Sequence, residues 1–315
     1  MEENIERRIL SLLSSSLMSV TQVANSLGIS KDKASGYLES LRQQGKLNLF
    51  VVGKSNVYTL KQEKSSKAIG IISGKGGVGK TVVTINLACA LMSFGKDVIA
   101  LDSDVKMSGL GLQLGMYYFS TTLNDVLNDN ADILSAVYIH PSGLRIIPAS
   151  LSLEETKISN LSKVLSSNFF ENSIVLVDSP PGLDSNSVEV IKACKEVIVV
   201  TLPELPSVID AIKTIEICKE VGAKPLGIIV NRYRKEKEQL NYKEIESACE
   251  LPVLGVVPED KTIRKSIHKQ FPAFFLNPYS KSSLEFKKIA AKLLGFRYSS
   301  SFSERVKSIF WGLRR

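Results

Sequence analysis

Gly74, Lys75, Gly76, Gly77, Val78, Gly79, Lys80 and Thr81 follow directly on the apolar run Ala68-Ile69-Gly70-Ile71-Ile72. No other stretch limits the fold so narrowly. The Gly-x-x-x-x-Gly-Lys-Thr spacing is that of a phosphate-binding loop, in which successive backbone N–H groups curl around a phosphate chain. Glycine is needed where the backbone must come close to the phosphates in conformations a Cβ would block. Lys80 then reaches the terminal phosphates, and the Thr81 hydroxyl is placed for Mg²⁺. A helix is expected from Thr81 to Phe94, its positive end aimed at the anion, with Gly95 as its stop. A buried strand, this loop and a helix make the opening unit of a parallel α/β sheet.

Two further strands end in carboxylates. Asp97-Val98-Ile99-Ala100-Leu101 runs into Asp102-Ser103-Asp104, and Ile174-Val175-Leu176-Val177 runs into Asp178-Ser179-Pro180-Pro181-Gly182. Carboxyl ends of parallel strands face the crevice where such sheets bind ligands. Three aspartates in this order after a phosphate loop point to a nucleotide and its metal rather than to helix caps alone.

Lys75 is redundant in a cradle already served by Lys80. The stretch Lys75-Gly76-Gly77-Val78-Gly79-Lys80-Thr81 resembles the deviant Walker A motif of the MinD/ParA family of ATPases. The resemblance covers about residues 68–295 and is closer to MinD than to ParA. It implies a homodimer sandwiching two ATP molecules, with Lys75 crossing to the partner's nucleotide. It also implies a site built from Gly74 to Thr81 with Val82, where Lys75, Lys80 and Asp104 serve catalysis. Thr81, Asp102 and Asp178 would serve Mg²⁺, Asp178 through water, and Asp104 would orient the attacking water. Asn231 after an apolar strand, and Pro258 with Glu259, match the adenine side of the family. Two departures stand out: the polar, glycine-rich Asp104-Val105-Lys106-Met107-Ser108-Gly109, and Pro181 where alanine is common.

The chain has 315 residues and 44% hydrophobic content, enough for one large domain and an appendage. It has no apolar run of the ~18 residues a membrane helix needs, and no apolar signal core near its start, so a cytoplasmic protein is expected. Cys89, Cys194, Cys218 and Cys249 lack metal or redox spacing and are expected to pack internally, and two histidines make a poor metal site. Charge is uneven. Residues 1–67 hold ten Lys and Arg against six Asp and Glu, and residues 296–315 hold five against one, so the whole formal excess of +8 lies at the ends. Both ends are therefore read as facing polyanions.

The amino-terminal stretch reads as three helices and a hairpin. Ile5, Ile9, Leu12 and Leu13 share one helical face; Ser19 to Ser30 gives a cap, a short helix and a turn at Gly28; Lys31 to Gln44 gives a third helix. Leu47–Val52 and Asn56–Leu60 flank a turn at Gly53 and Lys54. This pattern resembles a winged helix-turn-helix domain over residues 1–62, joined by a linker, 63–67. Lys31, Lys33, Ser35, Tyr37 and Lys54 are its candidate contacts to DNA, with a regulatory protein as the alternative partner.

After Gly295 comes a serine-rich spacer. Phe302, Val306, Ile309, Phe310 and Leu313 then fall on one helical stripe, bordered by Trp311 and flanked by Arg305, Lys307, Arg314 and Arg315. Aromatics opposed by cations describe a helix lying on an anionic membrane surface. It resembles the carboxyl-terminal membrane-targeting helix of MinD.

The expected architecture is thus a doubly wound, mostly parallel α/β sheet carrying a P-loop, preceded by a small winged helix and followed by a spacer and amphipathic helix over 296–315. The expected function is an ATP- and Mg²⁺-dependent dimerising ATPase. It would cycle onto the inner face of the cell membrane to position cellular machinery, under a hydrolysis-stimulating partner the sequence does not name. The competing reading is a ParA-like ATPase that partitions DNA. Iron–sulfur carriers sharing this loop need paired cysteines, and no Cys-x-x-Cys occurs.

Overall fold

The structure is a computed structural model that describes residues 2–13, 18–52, 55–60, 67–105, 108–151, 158–296 and 298. The chain divides into two units, Met1–Ser65 and Ser66–Arg315.

In the first unit α1 (Glu2–Leu13) leads to β1 (Met18–Ser19), α2 (Val20–Leu27), α3 (Lys31–Gln43), β2 (Leu47–Val52) and β3 (Ser55–Leu60). Local chemistry fixes the joints. Ser19 and Gln22 form a reciprocal capping box at the start of α2, Gly28 stops it in the left-handed region at φ 67°, and Ser30 caps α3 through the Lys33 N–H. The three strands pair antiparallel in the order β1-β3-β2, with Met18 opposite Tyr58 and Leu47 opposite Leu60. Ile9, Leu13, Val23, Ala34, Leu38, Leu41 and Tyr58 are buried together. Lys31, Lys33 and Ser35 are exposed on α3 and Tyr37 is half-buried, whereas Lys54 lies outside the described residues.

The second unit runs β4 (Lys67–Ile72), α4 (Lys80–Met92), β5 (Val98–Asp102), α5 (Leu110–Gln113), α6 (Leu123–Leu127), β6 (Tyr138–Ile139), β7 (Arg145–Ile147), α7 (Leu161–Leu165), β8 (Ile174–Asp178), α8 (Ser185–Cys194), β9 (Glu196–Thr201) and α9 (Leu205–Glu220). It closes with β10 (Lys224–Tyr233), α10 (Tyr242–Cys249), β11 (Val253–Pro258), α11 (Lys261–Lys269), α12 (Ala273–Leu276) and α13 (Lys281–Leu293). Its eight strands follow the order β11-β10-β9-β4-β8-β5-β7-β6, all parallel except the edge pair β6–β7. Side chains alternate between two apolar layers. Ile69, Ile71, Val98, Ala100, Leu176 and Ile198 pack with Leu87, Leu91, Phe286 and Ile289 of α4 and α13. Ile99, Leu101, Val175 and Val177 pack with Val190 of α8, while Val197 and Val199 pack with Val208 and Ile215 of α9. Strands covered on both faces explain why the sequence shows unbroken apolar runs rather than alternation.

Boundaries differ slightly from expectation. β4 begins at Lys67, whose ammonium lies 3.3 Å from Glu196, so the strand takes a residue assigned to the linker. Asp97 stands outside β5 because its carboxylate is held by Arg145 and by the Ser173 hydroxyl at 2.7 Å. α4 ends at Met92, and Gly95 follows at φ 73°. All four cysteines are buried and free. The stripe Phe302, Val306, Ile309, Phe310, Trp311 and Leu313 lies outside the described residues. The described chain ends against α4: the Phe296 and Tyr298 rings sit 5.2 and 5.9 Å from the Phe94 ring, and Lys287 lies 5.2 Å over Tyr298.

Candidate functional site

β4 occupies the middle of the sheet, with β8 and β9 as neighbours. The chain leaves β4 on one side and later returns to build the other, so the crevice of a doubly wound sheet opens above it. The loop after β4 falls in that crevice. Gly77 and Gly79 take φ values of 79° and 92°, which L side chains rarely adopt. Gly79 has a second constraint, since a Cβ there would lie 2.5 Å from Asn231 Nδ2. That amide donates to the Val78 carbonyl at 2.7 Å. β10 thus delivers Asn231 onto the loop itself.

The two lysines of the loop separate. Lys80 is 7% exposed, and its ammonium donates to Ser73 Oγ at 2.9 Å. Burial lowers its pKa, opposed by Asp178 and Asp104. Lys75 is exposed. Its carbonyl, not its side chain, is held, accepting from Ser73 Oγ at 2.7 Å.

Asp178 ends β8 directly opposite Asp102 at the end of β5. The Thr81 hydroxyl donates to Asp178 Oδ2 at 2.6 Å and Thr84 Oγ1 to Oδ1 at 3.2 Å. Thr81 and Thr84 are one turn apart on α4, so one helix face grips both oxygens. Burial pushes the Asp178 pKa up to about 7, with Asp102 adding to the rise and Thr81, Lys80 and Thr84 opposing it.

Asp102 is fully buried and serves the loop after it. Its Oδ2 accepts from Ser108 Oγ, Gly109 N and Leu110 N at 2.9, 3.0 and 2.9 Å, and its Oδ1 from Asp104 N at 3.0 Å. Burial raises its pKa to about 6. The sequence reading set Asp102 beside the metal. Its hydrogen bonds also hold Asp104, Ser108, Gly109 and Leu110, and a Cβ on Gly109 would lie 3.3 Å from Thr81 Oγ1.

A cavity of about 270 Å³ collects Gly77, Gly79, Lys80, Thr81, Val82, Asp104 and Asp178, with Pro181 and Arg232. An adjoining one of about 240 Å³ is lined by Gly79, Val82, Asn231, Pro258 and Glu259, with Arg232, Ile263 and Ile267. They share Gly79, Val82, Arg232 and Ile267, which makes one cleft with a phosphate half and a base half. A larger cavity, about 620 Å³, lies among Tyr117, Tyr118, Phe119 and Tyr138 and has no charged lining residue among the described residues. Gly74 and Gly76 flank Lys75 outside the cleft lining. Sequence reading missed Ser73, Thr84 and Arg232. Arg232 carried one faint signal, its place directly after Asn231 at a strand end.

The residues suit a nucleotide with Mg²⁺. Left-handed glycines shape a backbone cradle, a buried ammonium points into it, and two carboxylates raised by burial offer oxygens that a cation would favour in their charged form. Among the described residues no three His, Cys, Asp or Glu gather as a metal cage. Mg²⁺ needs none, since it is commonly held by one or two protein oxygens, water and substrate phosphates.

Known proteins share this arrangement. A family model described as the CobQ/CobB/MinD/ParA nucleotide binding domain matches residues 69–272. An uncharacterised ATP-binding protein of Methanocaldococcus jannaschii is 41% identical over 244 residues, 76% of this chain and 92% of that protein. The cell division ATPase MinD of Pyrococcus furiosus superposes with a TM-score of 0.69 at 31% identity, over 73% of this chain and 99% of that one. The septum site-determining protein MinD of Pyrococcus horikoshii, complexed with Mg-ADP, gives 0.69 at 33% identity, over 73% and 96%.

Proposed function

The chain belongs to the CobQ/CobB/MinD/ParA family of nucleotide-binding proteins, and from that premise we propose a MinD-like ATPase whose ATP-bound form pairs two copies and docks on an anionic membrane to position cellular machinery. As a P-loop ATPase it uses ATP with Mg²⁺. One observation carries the pairing: a single loop holds a buried lysine for its own nucleotide and an exposed one, Lys75, free of that cradle.

In this reading Lys80 and the loop amides hold the β- and γ-phosphates, and Asn231, Pro258 and Glu259 flank the base. Mg²⁺, when bound, would neutralise charge on the phosphates. Thr81 and Asp178 stand where it would be held, and Asp102 sets the loop that covers them. Asp104, which lines the phosphate half of the cleft, orients the attacking water. Lys75 completes the partner's site, so hydrolysis waits on pairing. The first unit is a winged helix offering Lys31, Lys33 and Ser35 to DNA or to a regulatory protein. The stripe from Phe302 to Leu313 holds the membrane.

The test is co-sedimentation of the full chain with anionic liposomes in ATP, ADP and no nucleotide. Pelleting that follows ATP is expected. ATP-dependent binding of DNA, with no pelleting, would favour a ParA-like partition ATPase.

A further inference from the structure

We propose that the Ser73 hydroxyl is a positioning group linking the two lysines of the loop, and that it sets the backbone from which Lys75 projects. The proposal rests on the reading of Lys75 as a residue offered to a second copy of the chain.

Ser73 follows β4 and is 2% exposed. A hydroxyl has one proton and two lone pairs, so it can accept and donate at once. Ser73 does both: it accepts from Lys80 Nζ at 2.9 Å and donates to the Lys75 carbonyl at 2.7 Å. The charged donor polarises the hydroxyl and strengthens its onward bond. Lys80 has three N–H donors, so one given to Ser73 leaves two for phosphate.

The neighbours of Lys75 are held as well. A Cβ on Gly74 would come within 2.6 Å of the Asp210 carbonyl and 2.9 Å of Thr214 Oγ1, so α9 rests against the backbone there. A Cβ on Gly76 would lie 3.4 Å from Pro181 Cβ. Close packing at Gly74 limits translation of the segment, but it does not choose the rotation of the peptide that follows. The Ser73 bond to the Lys75 carbonyl does, and with it the direction in which the exposed side chain leaves the surface. Loss of that bond should therefore act on pairing more than on nucleotide capture, because phosphates still hold Lys80 while nothing equivalent replaces the donor to Lys75.

The experiment compares full-length wild type with Ser73→Ala and Ser73→Thr. ATP affinity, the protein concentration at which ATP drives pairing in sedimentation, and amide exchange across residues 74–77 in the ADP-loaded chain are all read. Ser73→Ala is expected to raise the pairing concentration tenfold or more, to change ATP affinity threefold or less, and to speed amide exchange fivefold or more. Ser73→Thr, which keeps the hydroxyl, should restore all three. Should the alanine chain not fold, Ser73→Cys, with its weak donor, should show the same pattern at smaller size. Unchanged exchange overturns the inference, as does pairing equal to wild type or a loss of ATP affinity matching the loss of pairing. A wild type that never pairs with ATP, while Ser73→Ala still speeds exchange, overturns the role of Lys75 and leaves the Ser73 linkage standing.

Discussion

Asp102 and Asp178 face each other across neighbouring strand ends, and burial raises both, to about 6 and about 7. The sign of the consequence follows. A carboxyl raised above its usual value binds protons more tightly folded than unfolded, so metal-free stability falls as pH climbs from about 4 toward 7. A cation competes with those protons. Mg²⁺ with ADP should therefore raise the melting temperature more at pH 8 than at pH 5.5. Asp178→Asn should flatten the metal-free decline while abolishing Mg²⁺-dependent hydrolysis, and thermal melts across that range check it. Lys80→Ala should weaken ATP binding tenfold or more, about 1.4 kcal/mol, because it removes the cation buried in the cradle. Lys75→Ala should leave single-chain binding within about threefold, under 1 kcal/mol, and remove ATP-dependent pairing and turnover, which sedimentation with ATP reads. At this scale Lys80 and Thr81 could be singled out from loop spacing alone, and both line the cleft. Thr84 was illegible because its hydroxyl meets Asp178 only once α4 lies against β8, 94 positions along the chain. Asp102 was legible as a strand-end carboxylate but not in its partners, which depend on how the loop to Leu110 folds back.

Elements repeat that contrast. β4, β5 and β8 could be read from apolar runs because each is covered on both sides. The edge strand β6 and its neighbour β7 are two and three residues long and gave no periodic signal. α13 packs on β11 at a point no pattern announces: a Cβ on Gly255 would lie 2.4 Å from Ile289 Cγ1. Gly255→Ala should cost about 1–3 kcal/mol through overpacking, visible as a lowered denaturation midpoint with nucleotide affinity retained. Gly79→Ala should behave oppositely. It joins a left-handed backbone to a collision with Asn231, so nucleotide binding should fall more sharply than stability.

For the whole molecule, the decisive question is how two weak attachments combine. Fourteen residues, 302–315, form an isolated helix only marginally in water, and one short apolar face binds lipid weakly. Two such tails on an ATP-paired particle would make the second insertion intramolecular, which should raise attachment by roughly 10² or more. Phe310→Glu should prevent liposome pelleting in every nucleotide state, and high salt should weaken wild-type pelleting only in part, since salt screens the basic flank but not the aromatic stripe. Equal pelleting of Phe310→Glu and wild type would remove the tail from the membrane. The packing of Phe296 and Tyr298 on Phe94 would give such an attachment a direction. Phe94 lies just past the end of α4, whose other end is the phosphate loop, and 13 residues span about 20 Å of helix. If the tail does hold lipid, that helix would set the phosphate loop about 20 Å from the moored end, so parting of the pair could loosen the mooring without any change at Phe94.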